Sequence, residues 1–283
     1  NKIIYNGPIR DGAFGSIIAK SKIYQCDGCG VARLDERDCF KQKNYESSQY
    51  REEMGLGTSV NDFYNNADPI QIHHLDAFWP FSFRDKVVAD VGCGAGSFLD
   101  HIAGISSKII AIEPTQMYHK SLSDRGYKVF TYANDLGQEF NNSIDIVVSF
   151  QVIEHVESPV EFLNEIYGLL KKGGRLIIAT PNHSDILMKL LPEDFPSFFY
   201  RSVHRWYFNE LSLSYCVEKS GFKIIDIKHK HTFGMSNALV WLRDKKPQGN
   251  VKLNGIDGSM DLLWKSYTES SKQSDTIFII AEK

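Results

Sequence analysis

The stretch VVADVGCGAGSF (residues 87–98) decides the fold of this 283-residue chain. A short apolar, β-branched run ends at Asp90, and glycines follow at the alternate positions Gly92, Gly94 and Gly96. This pattern predicts a buried strand that ends in a tight turn, where the backbone can approach a ligand closely. The residues after the turn indicate a helix, whose first N–H groups face the same ligand. A strand, a glycine turn and a helix in this order are typical of a site for a nucleoside-bearing cofactor.

The spacing of the glycines separates two classes of cofactor. The nicotinamide fingerprint G-x-G-x-x-G places its third glycine at position 97, where this chain has Ser97. The carboxylate of Asp90 at the strand end would repel a pyrophosphate but would tolerate an ammonium and a sulfonium group. A second apolar run, IIAIEP (109–114), contains Glu113, 23 positions after Asp90. An acidic residue at the tip of the second strand can accept hydrogen bonds from both ribose hydroxyls.

Four segments in register resemble the class I S-adenosylmethionine-dependent methyltransferases. They are DVGCGAG (90–96), IEP (112–114), IDIVVSFQVIEHV (144–156) and LLKKGGRLIIATPN (169–182). The resemblance covers most of residues 85–230. Within the family, the chain resembles the small-molecule and sugar methyltransferases of bacterial surface-polysaccharide and capsule pathways.

The resemblance implies an α/β fold, namely a Rossmann-like seven-stranded methyltransferase sheet with helices on both faces, plus a small N-terminal module. Alternating strand-like and helix-like segments after Asp85 also predict parallel crossovers. We expect strands at residues 86–91, 108–112, 127–131, 144–150, 175–180, 222–229 and 275–282, of which the last is antiparallel. Residues 230–274 then form an insertion that is too long for a bare loop, with helix-like segments at residues 236–244 and 260–267.

Residues 1–60 are predicted to form the N-terminal module, and residues 61–283 the methyltransferase domain. The module contains Cys26, Cys29 and Cys39, and a C-x-x-C turn followed by glycine is typical of a zinc knuckle. The arrangement resembles the zinc-binding module of some sugar C-methyltransferases, although an upstream C-x-x-C is missing here. A structural zinc needs four ligands, so a ribbon that folds without metal is the alternative to a zinc-ribbon-like module.

Composition and charge exclude several functional classes. The net charge of −3 gives no electrostatic case for nucleic-acid binding. The apolar runs are too short to span a bilayer, and the first residues show no charged-then-apolar signal. The odd number of cysteines, five, favours a reducing compartment. We therefore expect a cytoplasmic enzyme that acts on a small molecule, without nucleic-acid or membrane partners.

The resemblance also assigns roles in the cofactor site. It implies that Asp90 lies near the methionine ammonium, that Glu113 binds the ribose hydroxyls, and that the adenine lies beside residues 131–136. The expected residues for S-adenosylmethionine are Asp90, Gly92, Gly94, Gly96, Glu113, Tyr132, Ala133, Asn134 and Gln151. Tyr50 and Tyr64 are candidates for closing the pocket, and ordinary helix packing is the alternative for both.

The chemistry depends on the acceptor. A sugar hydroxyl has a pKa far above 7 and needs a general base, whereas an ionised phosphate or phosphoramidate oxygen needs none. The candidate bases are His204, His155 and His183, in that order, with a structural role as the alternative for each.

Basic and aromatic residues around His204 indicate where the acceptor binds. Arg201 and Arg205 can bind phosphate bidentately, and Tyr207 lies beside them. The aromatic segment 195–208 would cover an acceptor and exclude water, or it would form a dimer contact. For the arginines, a solvated surface is the alternative interpretation.

We therefore expect methyl transfer to an oxygen of a small acceptor, such as a nucleotide-sugar or a phosphorylated or phosphoramidate precursor of a surface polysaccharide. The segment FQVI (150–153) stands where N-selective members often carry (N/D)PP(Y/F), which argues against methylation of nucleic-acid bases or protein amides. The alternatives are a sugar C- or N-methyltransferase, an NAD-dependent oxidoreductase, and a non-catalytic cofactor-binding module.

Overall fold

Strands and helices alternate through most of the computed structural model, which describes residues 1–12, 17–41, 46, 59–78, 81–249 and 251–283. The strands are β1 (Lys2–Arg10), β2 (Ile17–Gln25), β3 (Ala32–Leu34), β4 (Val87–Val91), β5 (Lys108–Ile112), β6 (Lys128–Phe130), β7 (Ile144–Phe150), β8 (Leu170–Pro181), β9 (Trp206–Tyr207), β10 (Lys223–Lys230) and β11 (Thr276–Glu282). The α-helices are α1 (Val60–Phe78), α2 (Ser97–Ile102), α3 (His119–Asp124), α4 (Pro159–Leu169), α5 (Ile186–Leu190), α6 (Pro196–Phe199), α7 (Glu210–Lys219), α8 (Met235–Asp244) and α9 (Gly258–Ser270).

Seven of these strands form the central sheet, in the order β10-β11-β8-β7-β4-β5-β6. Strands β4 to β8 are parallel to one another, whereas β11 is antiparallel to both β8 and β10. The predicted Rossmann-like sheet and its antiparallel last strand are thereby confirmed. Strand β8 begins at Leu170, five residues before the predicted start, because Leu170 already pairs with Ile144 ahead of a break in the register.

The central sheet is buried on both faces, as its nearly uninterrupted apolar strands require. Neighbouring residues of β8 illustrate this arrangement: Leu176 belongs to one hydrophobic cluster and Ile177 to the other. Helices α4 and α7 cover the first face, and α1, α2 and α3 cover the second. The parallel strands therefore present their carboxyl ends at a common edge, where the cofactor site was expected.

A second sheet has the order β1-β2-β3-β9. Its last strand comes from residues 206–207, so the N-terminal strands pair with a segment far along the chain. The core below this sheet contains Ile23 and Leu34 together with Phe199 and with Trp241 of α8. The division at residue 60 stays a prediction, and the two parts share this core.

The expected insertion between β10 and β11 contains α8 and α9, which lie at the predicted helix-like segments. Within the described residues, no helix is both long and apolar enough to cross a membrane.

Candidate active site

A cavity of about 510 Å³ opens at the carboxyl ends of β4, β5, β6 and β7. Loops at strand ends can approach a ligand there without breaking the sheet, which is where open α/β sheets bind their ligands. Most of the expected cofactor residues line the cavity: Gly92, Gly94, Glu113, Tyr132, Ala133, Asn134 and Gln151. Further lining residues include Phe63, Thr115, Val152, His155, Phe162 and Glu165.

The glycines of the turn are required by conformation and by space. Gly92 has a φ of 82° and Gly94 a φ of 56°, values that side-chain-bearing residues rarely adopt. A Cβ atom at Gly92 would lie 2.3 Å from the Val152 side chain, and one at Gly94 would lie 2.3 Å from the Phe63 ring. Gly96 does not line the cavity, and a Cβ atom there would lie 2.7 Å from Leu122. Gly96 therefore serves packing at the start of α2, and the turn keeps its floor free of side chains.

Glu113 joins the ends of the first two strands of the site. Its Oε2 accepts a hydrogen bond of 2.7 Å from the N–H of Gly94, and its Oε1 accepts one of 2.8 Å from the N–H of Thr115. A carboxylate has about four acceptor positions, so capacity remains for two ribose hydroxyls. The position and orientation of Glu113 fit the role that the sequence predicted.

Asp90 lies behind the turn and does not line the cavity. Its side chain is 3% exposed, and burial, with Glu113 nearby, raises the pKa of its carboxyl well above the ordinary value. A cationic group bound at the turn would lower this pKa and favour the ionised form of Asp90. Contact of Asp90 with a methionine ammonium stays a prediction that would need an intervening water or a shift of the turn.

The loop after β6 forms the adenine side of the cavity. The hydroxyl of Tyr132 donates a 2.6 Å hydrogen bond to Glu46, and the Tyr132 N–H donates to Asp135. The side chain of Asn134 donates to Glu165 at 2.8 Å. Asp135 is thus used to shape its own loop, while Glu165 adds a carboxylate to this side of the cavity.

Phe63, not Tyr64, lies over the glycine turn. Tyr64 does not line the cavity, because its hydroxyl donates to the carbonyl of Ala95 and its ring lies against Arg125. For Tyr64 these contacts fit the alternative of ordinary helix packing. Tyr50 lies outside the described residues.

Gln151 has a left-handed backbone with a φ of 58°, which is uncommon for a residue with a side chain. Strain of this kind concentrates at functional sites, since the surrounding structure must hold it in place. The Gln151 N–H donates to Ala179 at 2.9 Å, which fixes the chain where β7 ends. This turn directs the following residues, including His155, along the cavity wall.

His155 and His204 lie together, with ring centroids 4.8 Å apart. The Nδ1 of His155 lies 2.6 Å from the carbonyl oxygen of Val203. A carbonyl can only accept, so Nδ1 carries the proton and Nε2 carries the lone pair. Burial lowers the pKa of His155 to about 4 and that of His204 well below its ordinary value. Both imidazoles are neutral near pH 7.

Glu154 completes this cluster and was not singled out by the sequence, although it directly precedes His155. Its Oε2 accepts from the Thr180 hydroxyl at 2.9 Å, and its buried Oε1 has no hydrogen-bond partner among the described residues. The same Oε1 lies 3.8 Å from Nε2 of His155. Burial raises the pKa of the carboxyl to about 7.

Glu154, His155 and His204 also offer three metal-ligating atoms within 4.8 Å of one another, the one such group in the described part of the chain. The Arg201 guanidinium opposes a cation here, because it interacts electrostatically with Glu154 and lowers the pKa of both imidazoles. The charge of Arg201 therefore disfavours a metal ion at this cluster.

His183 lies apart from the cofactor cavity. Its Nε2 is 2.9 Å from the Tyr200 hydroxyl, and the ring packs among Phe199, Tyr200 and Tyr207. Burial lowers its pKa to about 4. These contacts fit the structural alternative better than the role of a base.

The two candidate arginines differ in their surroundings. Arg205 is neutralised, since its guanidinium contacts Glu36 and lies 3.9 Å from Glu157. Arg201 forms no ion pair with the described residues, and its Nε is buried without a hydrogen-bond partner. The Tyr207 hydroxyl donates to the Arg201 carbonyl and accepts from the Arg201 N–H. An acceptor-binding role for Arg201 stays a prediction, whereas the contacts of Arg205 and Tyr207 support the local fold.

The three cysteines of the N-terminal module do not form one metal site among the described residues. Cys26 and Cys29 share a turn that is closed by a hydrogen bond from Gly30 N–H to the Cys26 carbonyl. The Cys39 thiol instead faces the Asp35 carbonyl at 3.5 Å, and burial raises its pKa to about 11, which disfavours the thiolate that binds zinc. The structure does not support the predicted zinc site.

A family model described as a methyltransferase domain matches residues 66–227, which is more than half of the chain. The chain belongs to this methyltransferase family. The match confirms the predicted enzyme class and includes the glycine turn, Glu113 and the His155 segment. It does not favour a nicotinamide-dependent oxidoreductase.

Curated relatives of the methyltransferase are similar over parts of their length. A ubiquinone biosynthesis O-methyltransferase of Caulobacter vibrioides is 33% identical over 110 residues, which cover 36% of this chain and 43% of that protein. A tRNA U34 carboxymethyltransferase of Helicobacter acinonychis is 27% identical over 217 residues, or 68% of this chain and 80% of that protein. The chain thus spans less than half the length of the ubiquinone relatives it matches.

Solved structures share the fold of the methyltransferase. A SAM-dependent methyltransferase from Archaeoglobus fulgidus has a TM-score of 0.52 at 17% identity and covers 83% of this chain and 99% of that one. The 1,6-didemethyltoxoflavin-N1-methyltransferase of Burkholderia thailandensis, solved with S-adenosylhomocysteine, has a TM-score of 0.50 at 12% identity. The match covers 98% of this chain and 99% of that one. At these identities the likeness concerns the fold alone.

The role of Glu113 can be tested by cofactor affinity. Replacing Glu113→Gln should weaken S-adenosylhomocysteine binding by about tenfold or more, because a charged acceptor of hydrogen bonds is lost. Isothermal titration calorimetry measures the affinity. Glu139→Gln, an exposed carboxylate outside the cavity, is the matched control and should bind like the wild type. Equal affinity in the Glu113 variant would remove this residue from the ribose site.

The state of Glu154 can be tested by the pH dependence of stability. A carboxyl whose pKa rises from 4.5 to about 7 on folding stabilises the fold below pH 4.5 and loses this contribution as the pH rises to 7. In the Glu154→Gln variant, the decrease in the free energy of unfolding between low and high pH should be smaller by up to roughly 3 kcal/mol. The measurement is the free energy of unfolding in urea at pH 5 and pH 8.

The neighbouring histidines act in the opposite direction, since their lowered pKa values destabilise the fold as the pH falls below 6.5. They are present in both proteins, so the difference between wild type and variant isolates Glu154. Parallel pH profiles of the two proteins would show that the carboxyl is not shifted.

Proposed function

We propose that this methyltransferase transfers the methyl group of S-adenosylmethionine to an oxygen of a small acceptor that carries a phosphate or phosphoramidate group. Such acceptors include nucleotide-linked sugars and phosphorylated precursors of surface polysaccharides. The observation that carries the proposal is the half-buried Arg201 guanidinium beside the histidine pair, which forms no ion pair with the described residues and whose Nε is buried.

The residues of the cavity fit the cofactor. S-adenosylmethionine supplies an electrophilic methyl group on a sulfonium sulfur, so the protein need not activate the donor by proton transfer. Glu113 has acceptor capacity for the ribose, the glycine turn leaves the backbone accessible, and Phe63 covers that turn. These residues bind and orient the donor, and Phe63 helps to exclude water from it.

The histidine pair supports an acceptor oxygen that is already ionised. A general base works best when its pKa is near the working pH, whereas burial lowers the pKa of His155 to about 4. A neutral imidazole with a lone pair on Nε2 accepts a hydrogen bond, so it can orient the acceptor through an O–H or N–H group of that molecule and not through the ionised oxygen itself. A phosphate or phosphoramidate oxygen carries negative charge near pH 7, and Arg201 can offset this charge.

The names of the relatives support oxygen as the atom that receives the methyl group. Several of them carry the name ubiquinone biosynthesis O-methyltransferase. The sequence FQVI at residues 150–153 is consistent with that choice, since it lacks the tetrad that is typical of N-selective members. A polysaccharide precursor as the acceptor rests on the sequence resemblance.

The proposal can be tested with matched pairs of acceptors. Purified enzyme and S-adenosylmethionine are incubated with sugar phosphates or nucleotide-sugars, and in parallel with the same sugars lacking phosphate. We expect release of S-adenosylhomocysteine with the phosphorylated member of a pair, and an O-linked methyl group in the product by NMR. Equal turnover of both members, or a methyl group on carbon or nitrogen, would contradict the proposal.

A histidine variant separates orientation from proton abstraction. His155→Gln should lower kcat by less than about tenfold on an ionised acceptor, because no proton has to be removed, whereas loss of a general base costs about 10²- to 10⁴-fold. His101→Gln, an exposed histidine on α2, is the control. A loss in the larger range would make His155 the base of a hydroxyl acceptor.

A further inference from the structure

Glu165 of α4 is a carboxylate of the cavity wall to which no role has been assigned so far. It lies on the same side of the helix as Phe162, one turn earlier, and both residues line the cavity. Leu163 and Ile166 face the core instead and are fully buried. The packing of α4 against the central sheet therefore determines where the Glu165 carboxylate lies.

The loop after β6 orients this carboxylate. The side-chain amide of Asn134 donates a hydrogen bond of 2.8 Å to Oε1 of Glu165, and the short turn that contains Asn134 contacts α4. Within the described part of the chain, Oε2 of Glu165 has no hydrogen-bond partner and the residue forms no ion pair. A carboxylate has about four acceptor positions, so Glu165 keeps capacity for a ligand in the cavity.

The cavity has two chemically different ends, one on each side of Glu113. Glu113 follows β5, which lies between β4 and β6 in the sheet. On the β4 side the floor is the glycine turn, which suits the narrow amino-acid part of the donor. On the β6 side Tyr132 and Phe162 line the cavity, and aromatic rings suit a flat purine base. A donor whose ribose is bound by Glu113 would therefore place its adenine beside Phe162.

The amino group of an adenine in this position needs an acceptor, because a buried donor without a partner is costly. The two other carboxylates near the loop are already used: Asp135 accepts from the Tyr132 N–H, and Glu46 accepts from the Tyr132 hydroxyl. Side chains three residues apart on a helix are neighbours, about 5–6 Å between Cβ atoms. A base that packs against Phe162 thus has the Glu165 carboxylate next to it.

We infer that Glu165 is a specificity-determining residue of the donor site, and that its carboxylate accepts a hydrogen bond from the 6-amino group of the adenine. One carboxylate oxygen is held by Asn134, and the other receives the amino group. The residue thereby selects adenosine over purine nucleosides that have no amino group at this position. This inference concerns the methyl donor, and so it goes beyond the proposed function, which concerns the acceptor.

Two ligands that differ only in this amino group test the inference. The Kd values of S-adenosylhomocysteine and of its analogue with hydrogen in place of the 6-amino group are measured by isothermal titration calorimetry. We expect the wild type to bind S-adenosylhomocysteine more tightly by about tenfold or more, because the analogue lacks a hydrogen bond to a charged group. In Glu165→Leu the two Kd values should become similar, since a change in packing affects both ligands alike.

Three further variants sharpen the comparison. Glu165→Gln should give an intermediate ratio of the two Kd values, because a neutral amide oxygen accepts more weakly than a carboxylate. Glu161→Leu replaces an exposed carboxylate of the same helix that does not line the cavity, and it should keep the wild-type ratio. Glu113→Gln should weaken both ligands by a similar factor, because the ribose is the same in both.

Three results would overturn the inference: a wild-type ratio near one, the wild-type ratio retained in both Glu165 variants, or an equal loss of the ratio in Glu161→Leu. A Glu165 variant that weakens both ligands equally retains the ratio, and would make this residue a contact of the ribose or a structural residue. Absence of turnover on phosphorylated acceptors would contradict the proposed function and leave the ratio of the two Kd values unchanged.

Discussion

The Glu113 carboxylate is the contact on which the arrangement of the cofactor site depends. It accepts hydrogen bonds from the backbone of the glycine turn after β4 and from the backbone after β5, so one side chain couples two neighbouring strand ends. Hydrogen bonds to a charged acceptor in a buried setting are stronger than neutral ones. This coupling holds the turn in its left-handed conformation and leaves the cavity floor free of side chains.

A second constraint determines the acceptor side. The segment after β8 pairs with both ends of the N-terminal sheet, through the Arg10–Arg201 bridge and through β9 with β3. This pairing positions Arg201 and His204 near His155, and the ion pair of Arg205 with Glu36 strengthens it. The N-terminal sheet therefore lies against the segment that carries Arg201 and His204.

The sequence predicted the central sheet well because its strands are short apolar runs that end in residues of specific chemistry. Strand ends, the glycine turn and Glu113 follow from local pattern, and the structure places them as expected. Phe63, and not its neighbour Tyr64, covers the glycine turn, because adjacent helical residues point about 100° apart and the phase of the helix cannot be read from the sequence that finely. Glu154 stood beside His155 in the sequence, but its burial depends on tertiary packing.

Other features could not be predicted, because they depend on contacts between distant segments. Arg201 and Arg205 look equivalent in sequence, and only the fold brings Glu36 to one of them. The bridge between Arg10 and Arg201 has no local signal either, since the two residues lie 191 positions apart. The C-x-x-C motif left a zinc site and a metal-free ribbon open, and the contact of the Cys39 thiol with the Asp35 carbonyl depends on how that segment folds.

A crystal structure of the protein with S-adenosylhomocysteine tests the central claim most directly. The account predicts the ribose hydroxyls within hydrogen-bonding distance of Glu113, the amino-acid end over Gly92 and Gly94, and the sulfur facing His155. A ligand bound elsewhere, or a ribose that makes no contact with Glu113, would contradict it.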